Sequence, residues 1–358
     1  MLTILTVGFL FTSPLPETPG FSFDLVYTGE TMGAVSGGRE QKHSYLDNLD
    51  LVLNYDGENT GHAGWTASLY LLYNSGFDPS DYIGDVQTAS NIQAPDTTTV
   101  FEAWIQREKG GHALLIGLFD FNSEFDVIES AGSFLNSSHG IGPDYSQAGL
   151  NGPSIFPTSS LTLRYAYLWA DGWLTRAAVA DGVPGHPEHP KGTRIHLGGD
   201  DGWLTALEVS RTGAQAAWKI TAGLWHQSGD FEYVDQARGG LQTGNSGIYL
   251  SGEKDFGAWQ AFARLGVADK DVNTFGDYGG LGVVLPRFLG RDGDHLGFAM
   301  ARAREADSGQ AETNFECTWH IQIGQSLTLQ PDLQYILNPG FGFEDALVLG
   351  LRFAITIF

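Results

Sequence analysis

The chain has 358 residues and a formal net charge of −23, from 19 Lys and Arg against 42 Asp and Glu. So acidic a balance excludes nucleic acid as a partner, because neutralising phosphates needs a basic footprint. A single cysteine, Cys317, permits no internal disulfide and no cysteine-based metal cage.

No apolar run approaches the ~20 residues that a membrane helix needs. The longest, Leu2 to Phe11, has the character of the hydrophobic region of a secretory signal within residues 1–20, although the first basic residue is Arg39. A first buried strand is its alternative reading. From residue 21 to residue 358 the chain reads as one domain with a monotonous rhythm. Stretches of about ten residues alternate apolar and polar, and clusters of Gly, Asp, Asn and Ser separate them.

Phe21 to Thr28 forms a weak first strand. Leu49, Leu51, Leu53 and Tyr55 then share one face, while Asn48, Asp50, Asn54 and Asp56 share the other. After the turn Asp56 to Gly61, residues Trp65, Ala67, Leu69, Leu71 and Tyr73 repeat the pattern. Residues 76–97 are a long polar connection. Phe101, Ala103 and Ile105 next oppose Glu102, Trp104 and Gln106, and Ala113 to Phe119 adds a weaker strand.

Residues 121–160 interrupt this rhythm for far longer than a hairpin needs, and long loops in compact folds are usually functional. Phe125, Phe134, Leu135, Ile141 and Phe156 make the segment too apolar for a loop adrift in water. It is expected to fold inward and narrow a pore. Phe125 and Phe134 are candidates for the constriction, with packing inside the loop as their alternative role.

Alternation resumes at Leu161 to Trp169, Trp173 to Asp181, Trp203 to Ser210, Ala216 to Gln227, Gly247 to Lys254 and Trp259 to Ala268. Tyr278 to Leu285 and His295 to Arg304 are weaker cases. The last three strands are the clearest. Thr313, Phe315, Cys317, Trp319, Ile321 and Ile323 oppose Glu312, Asn314, Glu316, Thr318, His320 and Gln322. Leu327, Leu329, Pro331, Leu333, Tyr335 and Leu337 then oppose Thr328, Gln330, Asp332 and Gln334. Leu347, Leu349, Leu351, Phe353, Ile355 and Ile357 close the chain.

An apolar stripe on every strand would need a second sheet to cover it in water. In lipid it needs none, and closure removes the sheet edges. The 48 glycines suit tight turns and a crowded lumen, and 22 Phe, 13 Tyr and 9 Trp suit interfacial girdles. The expected fold is therefore all-β: a transmembrane antiparallel barrel of about sixteen strands in a bacterial outer membrane. The terminal Phe358 fits the aromatic signal read by the outer-membrane assembly machinery. Its parity places it with Arg352 and Thr356, which a terminal bulge or an interfacial cap would reconcile.

Four segments, in order, resemble the carbohydrate-selective porins of the OprB family. They are Glu102-Ala-Trp104, Gly117 to Phe125 (GLFDFNSEF), Asn136 to Pro157 (NSSHGIGPDYSQAGLNGPSIFP) and Leu329 to Pro339 (LQPDLQYILNP). Glu312 to Glu316 and Leu347 to Arg352 carry the likeness to the end, so it spans nearly everything after residue 20. The resemblance implies a sixteen-stranded barrel through which glucose and related sugars diffuse passively. It also implies basic lumen positions, and Arg164, Arg264 and Arg352 match by strand parity. The strongly acidic charge departs from that family pattern and motivates a general or cation-preferring porin as the alternative. Porins of this architecture occur as monomers and as homotrimers, and no stripe here decides between them.

A sugar is neutral, rich in hydroxyls, and has apolar C–H faces. A site that passes it offers aromatic rings and bidentate polar groups, yet binds weakly enough for release. Glu102, Trp104 and Gln106 supply both kinds of group on one wet face. Glu208, Glu253, Arg264, Asn314, Glu316, Gln330, Asp332 and Gln334 are expected on neighbouring wet faces, with Arg164 implied by the resemblance. The alternative for each is a solvated wall residue, salt-bridged across strands.

No catalytic site, cofactor or metal is expected. Asp269-Lys-Asp271-Val-Asn273 opens like a calcium loop, but Thr274 replaces the required glycine. His186-Pro-Glu-His189 could ligate a metal, although a solvated, proline-stiffened outer loop is the simpler reading. No GxSxG elbow and no metalloprotease helix stands in the chain, which weighs against an outer-membrane hydrolase. Cys317 falls on the apolar face and reads as a lipid-facing filler. The partners expected are sugar permeants, outer-membrane lipid and lipopolysaccharide, and the assembly machinery.

Overall fold

A computed structural model describes residues 19–198 and 202–357. The signal-like segment Leu2 to Phe11 and the terminal Phe358 lie outside the described residues. The strands are β1 (Phe21–Gly38), β2 (His43–Asp56), β3 (Trp65–Gly76), β4 (Thr97–Lys109), β5 (His112–Phe119) and β6 (Ser160–Leu168). Next come β7 (Trp173–Asp181), β8 (Trp203–Thr212), β9 (Trp218–Glu232), β10 (Leu241–Asp255) and β11 (Gln260–Ala268). The last five are β12 (Phe275–Pro286), β13 (His295–Glu305), β14 (Ala311–Ile323), β15 (Leu327–Leu337) and β16 (Glu344–Thr356).

Each strand pairs antiparallel with its sequence neighbours, and β1 pairs with β16, so the sheet closes on itself. Sixteen strands is the number that the alternation predicts. The first strand runs ten residues past its expected end because Gly33, Ala34, Ser36 and Gly37 are too small to show an apolar stripe. Register shifts after Ala34 and Ser36 bend that end.

Side chains divide by parity as a barrel in lipid requires. Leu53, Leu69, Leu163, Leu207, Leu224, Ile248, Leu265, Leu281, Leu333 and Leu349 point outward and are bare. Their inward neighbours, such as Asn48, Ser68, Ser210, Asn314 and Gln334, are buried. Aromatics crowd both rims of the bare band. Tyr45, Tyr73, Trp203 and Tyr335 ring the end bearing the long connections; Phe21, Trp65, Trp169, Trp173 and Trp259 ring the end bearing the short turns. In outer-membrane barrels long loops face outside and short turns face the periplasm. Leu265, mid-strand in β11 and 63% exposed, tests this dry face. Leu265→Arg is expected to destabilise the barrel in bilayers by about 2–4 kcal/mol, measured by urea unfolding from liposomes. No loss would place this face in contact with protein or water.

One side chain breaks the expected parity. Phe101 belongs to the dry set by alternation, yet it is buried inside. A β-bulge explains the reversal: Tyr70 pairs with Glu102 while Leu71 pairs with Val100, leaving Phe101 as the extra residue. Its ring meets Tyr70 edge-on at 5.2 Å and Phe156 of the long loop at 6.1 Å.

Candidate permeation pathway

The loop between β5 and β6 folds into the lumen and is fastened there by wall carboxylates. Glu316 on β14 accepts the backbone N–H groups of Leu135 and Asn136 at 2.6 and 3.0 Å. Glu253 on β10 accepts those of Glu129 and Ser130, and the Ser130 hydroxyl as well. Glu208 on β8 accepts the N–H of Asp126 and the hydroxyl of Tyr249. A loop buried inside a barrel cannot pair its amides with a sheet, and an unpaired buried amide costs about 1–3 kcal/mol. Acidic wall residues satisfy these donors with charge-assisted bonds.

At the centre, Arg264 on β11 is fully enclosed between two loop carboxylates. Its Nε donates to both oxygens of Asp126 at 2.9 and 2.8 Å, and its terminal nitrogens donate to Asp144 at 2.6 and 3.2 Å. The pair has room because Gly266 lies beneath it, where a Cβ would collide with the Asp144 carboxylate. Beside it, Tyr145 stacks on Trp225 with ring centroids 5.2 Å apart, and on Tyr249 at 6.0 Å. Phe134 beds against Phe262 over Gly297, a position with no space for a Cβ. Burial lowers the neighbouring His139 imidazole to about 3, so it is neutral at pH 7.

A second segment joins the first. Residues 76–97, a plain polar connection by sequence, turn inward too. Glu312 on β14 accepts the N–H groups of Val86 and Gln87, and Gln334 on β15 donates to the Ala89 carbonyl. Asn91 donates from its backbone to Leu135 and from its side chain to Phe134. Ile83, Ala89 and Leu135 share one apolar cluster with Met32, Ile336 and Val348. The short connection thus braces the long one.

Most polar anchors run from β6 round to β15, and this redistributes the residues expected to face sugar. Arg264, Glu208, Glu316, Gln330, Asp332 and Gln334 do point inward, but the loops cover them and all are buried. Gln330 donates to the Ser133 carbonyl, and Asp332 accepts from Gln334. Arg164 is likewise enclosed, bonded to Gln106 at 2.5 Å and to Glu124 at 2.6 Å. Phe125 stacks on Phe121 at 5.2 Å, and Phe134 packs on Phe262. Both rings are core of the loop rather than free rims of an opening. The expectation that they form the constriction surface is corrected on that ground: the hydrophobic effect holds them away from water.

What stays open is part of the opposite wall, the half of β16 and β1 to β4 nearer the short turns; the other half is covered by residues 76–97. There Asp50, Tyr70, Glu102, Trp104 and Arg352 remain partly exposed. The Tyr70 hydroxyl donates to Asp50 at 2.6 Å, and Arg352 donates from Nε to Glu30 at 2.6 Å. Glu102 accepts the N–H of Asp120 where the loop leaves the wall. Across from them the Glu124 carboxylate takes ion pairs from Arg164 at 2.6 Å and from Arg176 at 3.2 Å. Sequence reasoning passed over Tyr70, Glu124 and Arg176. Tyr70 and Arg176 sit at inward parity on their strands, and Glu124 lies within the GLFDFNSEF motif.

Comparison with known proteins fits this arrangement. The profile of the carbohydrate-selective porin, OprB family, matches residues 40–357. The chain belongs to that family. This porin is 25% identical to Porin B of Pseudomonas aeruginosa, over 93% of this chain and 87% of the relative. Its fold superposes on the high-pH structure of Pseudomonas putida OprB with a TM-score of 0.83 at 20% identity, covering 94% of each chain. The outer membrane channel DcaP of Acinetobacter baumannii shares the fold at 9% identity, with a TM-score of 0.61 over 94% of this chain and 97% of that one. Family and fold make this porin a sugar-selective channel of a Gram-negative outer membrane, a channel rather than an enzyme.

Proposed function

We propose that mono- and short oligosaccharides cross this porin along the uncovered lane formed by β16 and β1 to β4. The observation that carries this reading is that the polar anchors of the constriction loop's centre lie on the other side, on β8, β10, β11 and β14. In the lane, Trp104 and Tyr70 offer ring faces to the C–H faces of a sugar. Glu102 and Asp50 offer carboxylate oxygens to adjacent hydroxyls, and Arg352 offers donors to ring and hydroxyl oxygens. Each of these groups is only partly exposed and offers a single contact, so a sugar binds weakly and leaves by exchange along the wall. The passage is passive diffusion through a water-filled lumen.

Trp104→Ala is expected to raise the glucose concentration that half-blocks the single-channel current about tenfold, equal to about 1.4 kcal/mol. An unchanged blocking curve would remove Trp104 from the lane. The same bilayers test the runner-up reading, a cation-preferring diffusion pore, which the net charge of −23 favours. Equal liposome-swelling rates for glucose and for amino acids of equal size, together with a cation-selective reversal potential that fades as salt is raised, would establish that reading instead.

Acyl chains and lipopolysaccharide surround the outward face in this picture, and the assembly machinery inserts the chain. A homotrimer is the oligomeric state that cross-linking in native membranes tests.

A further inference from the structure

We propose that His186, Glu188 and His189, on the connection between β7 and β8, form a binding site for one divalent transition-metal ion of the zinc class. The residues meet because the backbone turns there: the N–H of His189 donates to the His186 carbonyl at 2.8 Å, placing positions i and i+3 on one side. One donor atom from each of the three lies within 4.8 Å of the others. The His186 and His189 ring centroids are 4.9 Å apart, and the His196 ring stands 5.3 Å from His186.

A second observation points to a ligand. The Nδ1 of His186 is buried and has no hydrogen-bond partner. Two nitrogens on a tetrahedral zinc ion lie about 3.4 Å apart, given Zn–N bonds of roughly 2.0–2.1 Å. Glu188 and His189 are exposed, so ring and carboxylate rotations of about an ångström would close the site. Two imidazoles and a carboxylate suit zinc, nickel or copper, whereas calcium and magnesium demand an oxygen cage.

The placement gives the ion something to do. On one side of the turn, Asn151 of the constriction loop donates to the Pro184 carbonyl at 2.6 Å. On the other, Gly192 donates to Thr97 at 2.7 Å and the Thr193 hydroxyl accepts from the N–H of Val100 at 2.6 Å. A bound ion would cross-link the middle of an arch that spans from the constriction loop to β4, beside the mouth of the open lane.

The test is equilibrium dialysis of the tag-free full chain in detergent micelles against micromolar zinc chloride, with metal counted per chain. One zinc per chain is expected, with affinity reduced about tenfold or more in H186A/H189A. Glu188→Gln, which keeps the side-chain volume, should weaken binding as well. H295A/H320A removes an imidazole pair elsewhere on the barrel, stacked with centroids 4.4 Å apart, and should leave binding intact. Absence of saturable zinc binding, or binding that H186A/H189A leaves unchanged, overturns the proposal.

Discussion

Arg264→Ala is expected to release the constriction loop and to lower the stability of the folded barrel by about 3–5 kcal/mol. The reason is an asymmetry of buried charge. Arg264 is bonded to Asp126 and Asp144, and all three are shielded from water. Removing the guanidinium leaves two buried carboxylates facing each other without a counter-charge, which is relieved at a cost either by taking up a proton or by moving the loop into solvent. Asp126 would also pull away from Glu208, and with it the neighbouring stack of Tyr145 on Trp225 would open. Two measurements follow this: the temperature at which the folded barrel converts to the unfolded gel band, and the single-channel conductance. The first should fall and the second should rise. Arg264→Lys should restore little, because an ammonium cannot span two carboxylates with a planar fork. Wild-type values for both quantities in Arg264→Ala would show that the loop is held by its other anchors alone.

A chain lacking residues 128–150 is expected to conduct roughly twofold more, or better, because the loop fills one side of the lumen. Its stability should suffer less than that of the single substitution. Deleting the loop uncovers Glu253, Arg264 and Glu316 to water, where each is solvated, whereas substituting Arg264 leaves partners stranded in the dry. Asp126 remains in that chain and keeps a partner in Arg264. Unchanged conductance would mean that the loop does not limit the pore; a barrel that fails to form would mean that the loop is part of its core.

The number and order of strands were legible in the sequence, because a barrel in lipid writes its structure with period two, although small residues hid the far half of β1 and the start of β10. Glu312 to Leu337 alternate without a break and pair in the register that the alternation implies. Phe101 escaped that logic, since a bulge is a property of pairing with β3 and leaves no local mark. The inward residues were legible as inward but not as covered. Whether Glu316 meets a sugar or the amide of Leu135 depends on where a loop 181 residues away comes to rest. Residues 76–97 were harder still. Their polar composition reads as solvated, yet what their polar groups find is the wall and the other loop, with Glu312 as the receiving carboxylate. The clue lay in the carboxylates that recur on wet faces, Glu102, Glu208, Glu253, Glu312 and Glu316. A wall that must receive bare backbone amides needs acceptors more than donors.

The closing seam between β1 and β16 has a consequence for the order in which this molecule comes into being. Arg352 reaches Glu30 across 322 positions of sequence, so the ring cannot shut before the chain is all but complete. The constriction loop lies early in the chain, while the carboxylates that receive its backbone amides, Glu208, Glu253 and Glu316, all follow it. Its berth therefore does not exist when the loop itself is made. Local hairpins can form as they arrive, but contacts of such long separation wait for the whole circuit. Docking of residues 121–160 is thus a long-range step that needs β8 to β14 in place, and it is the step that turns a wide lumen into a narrow one.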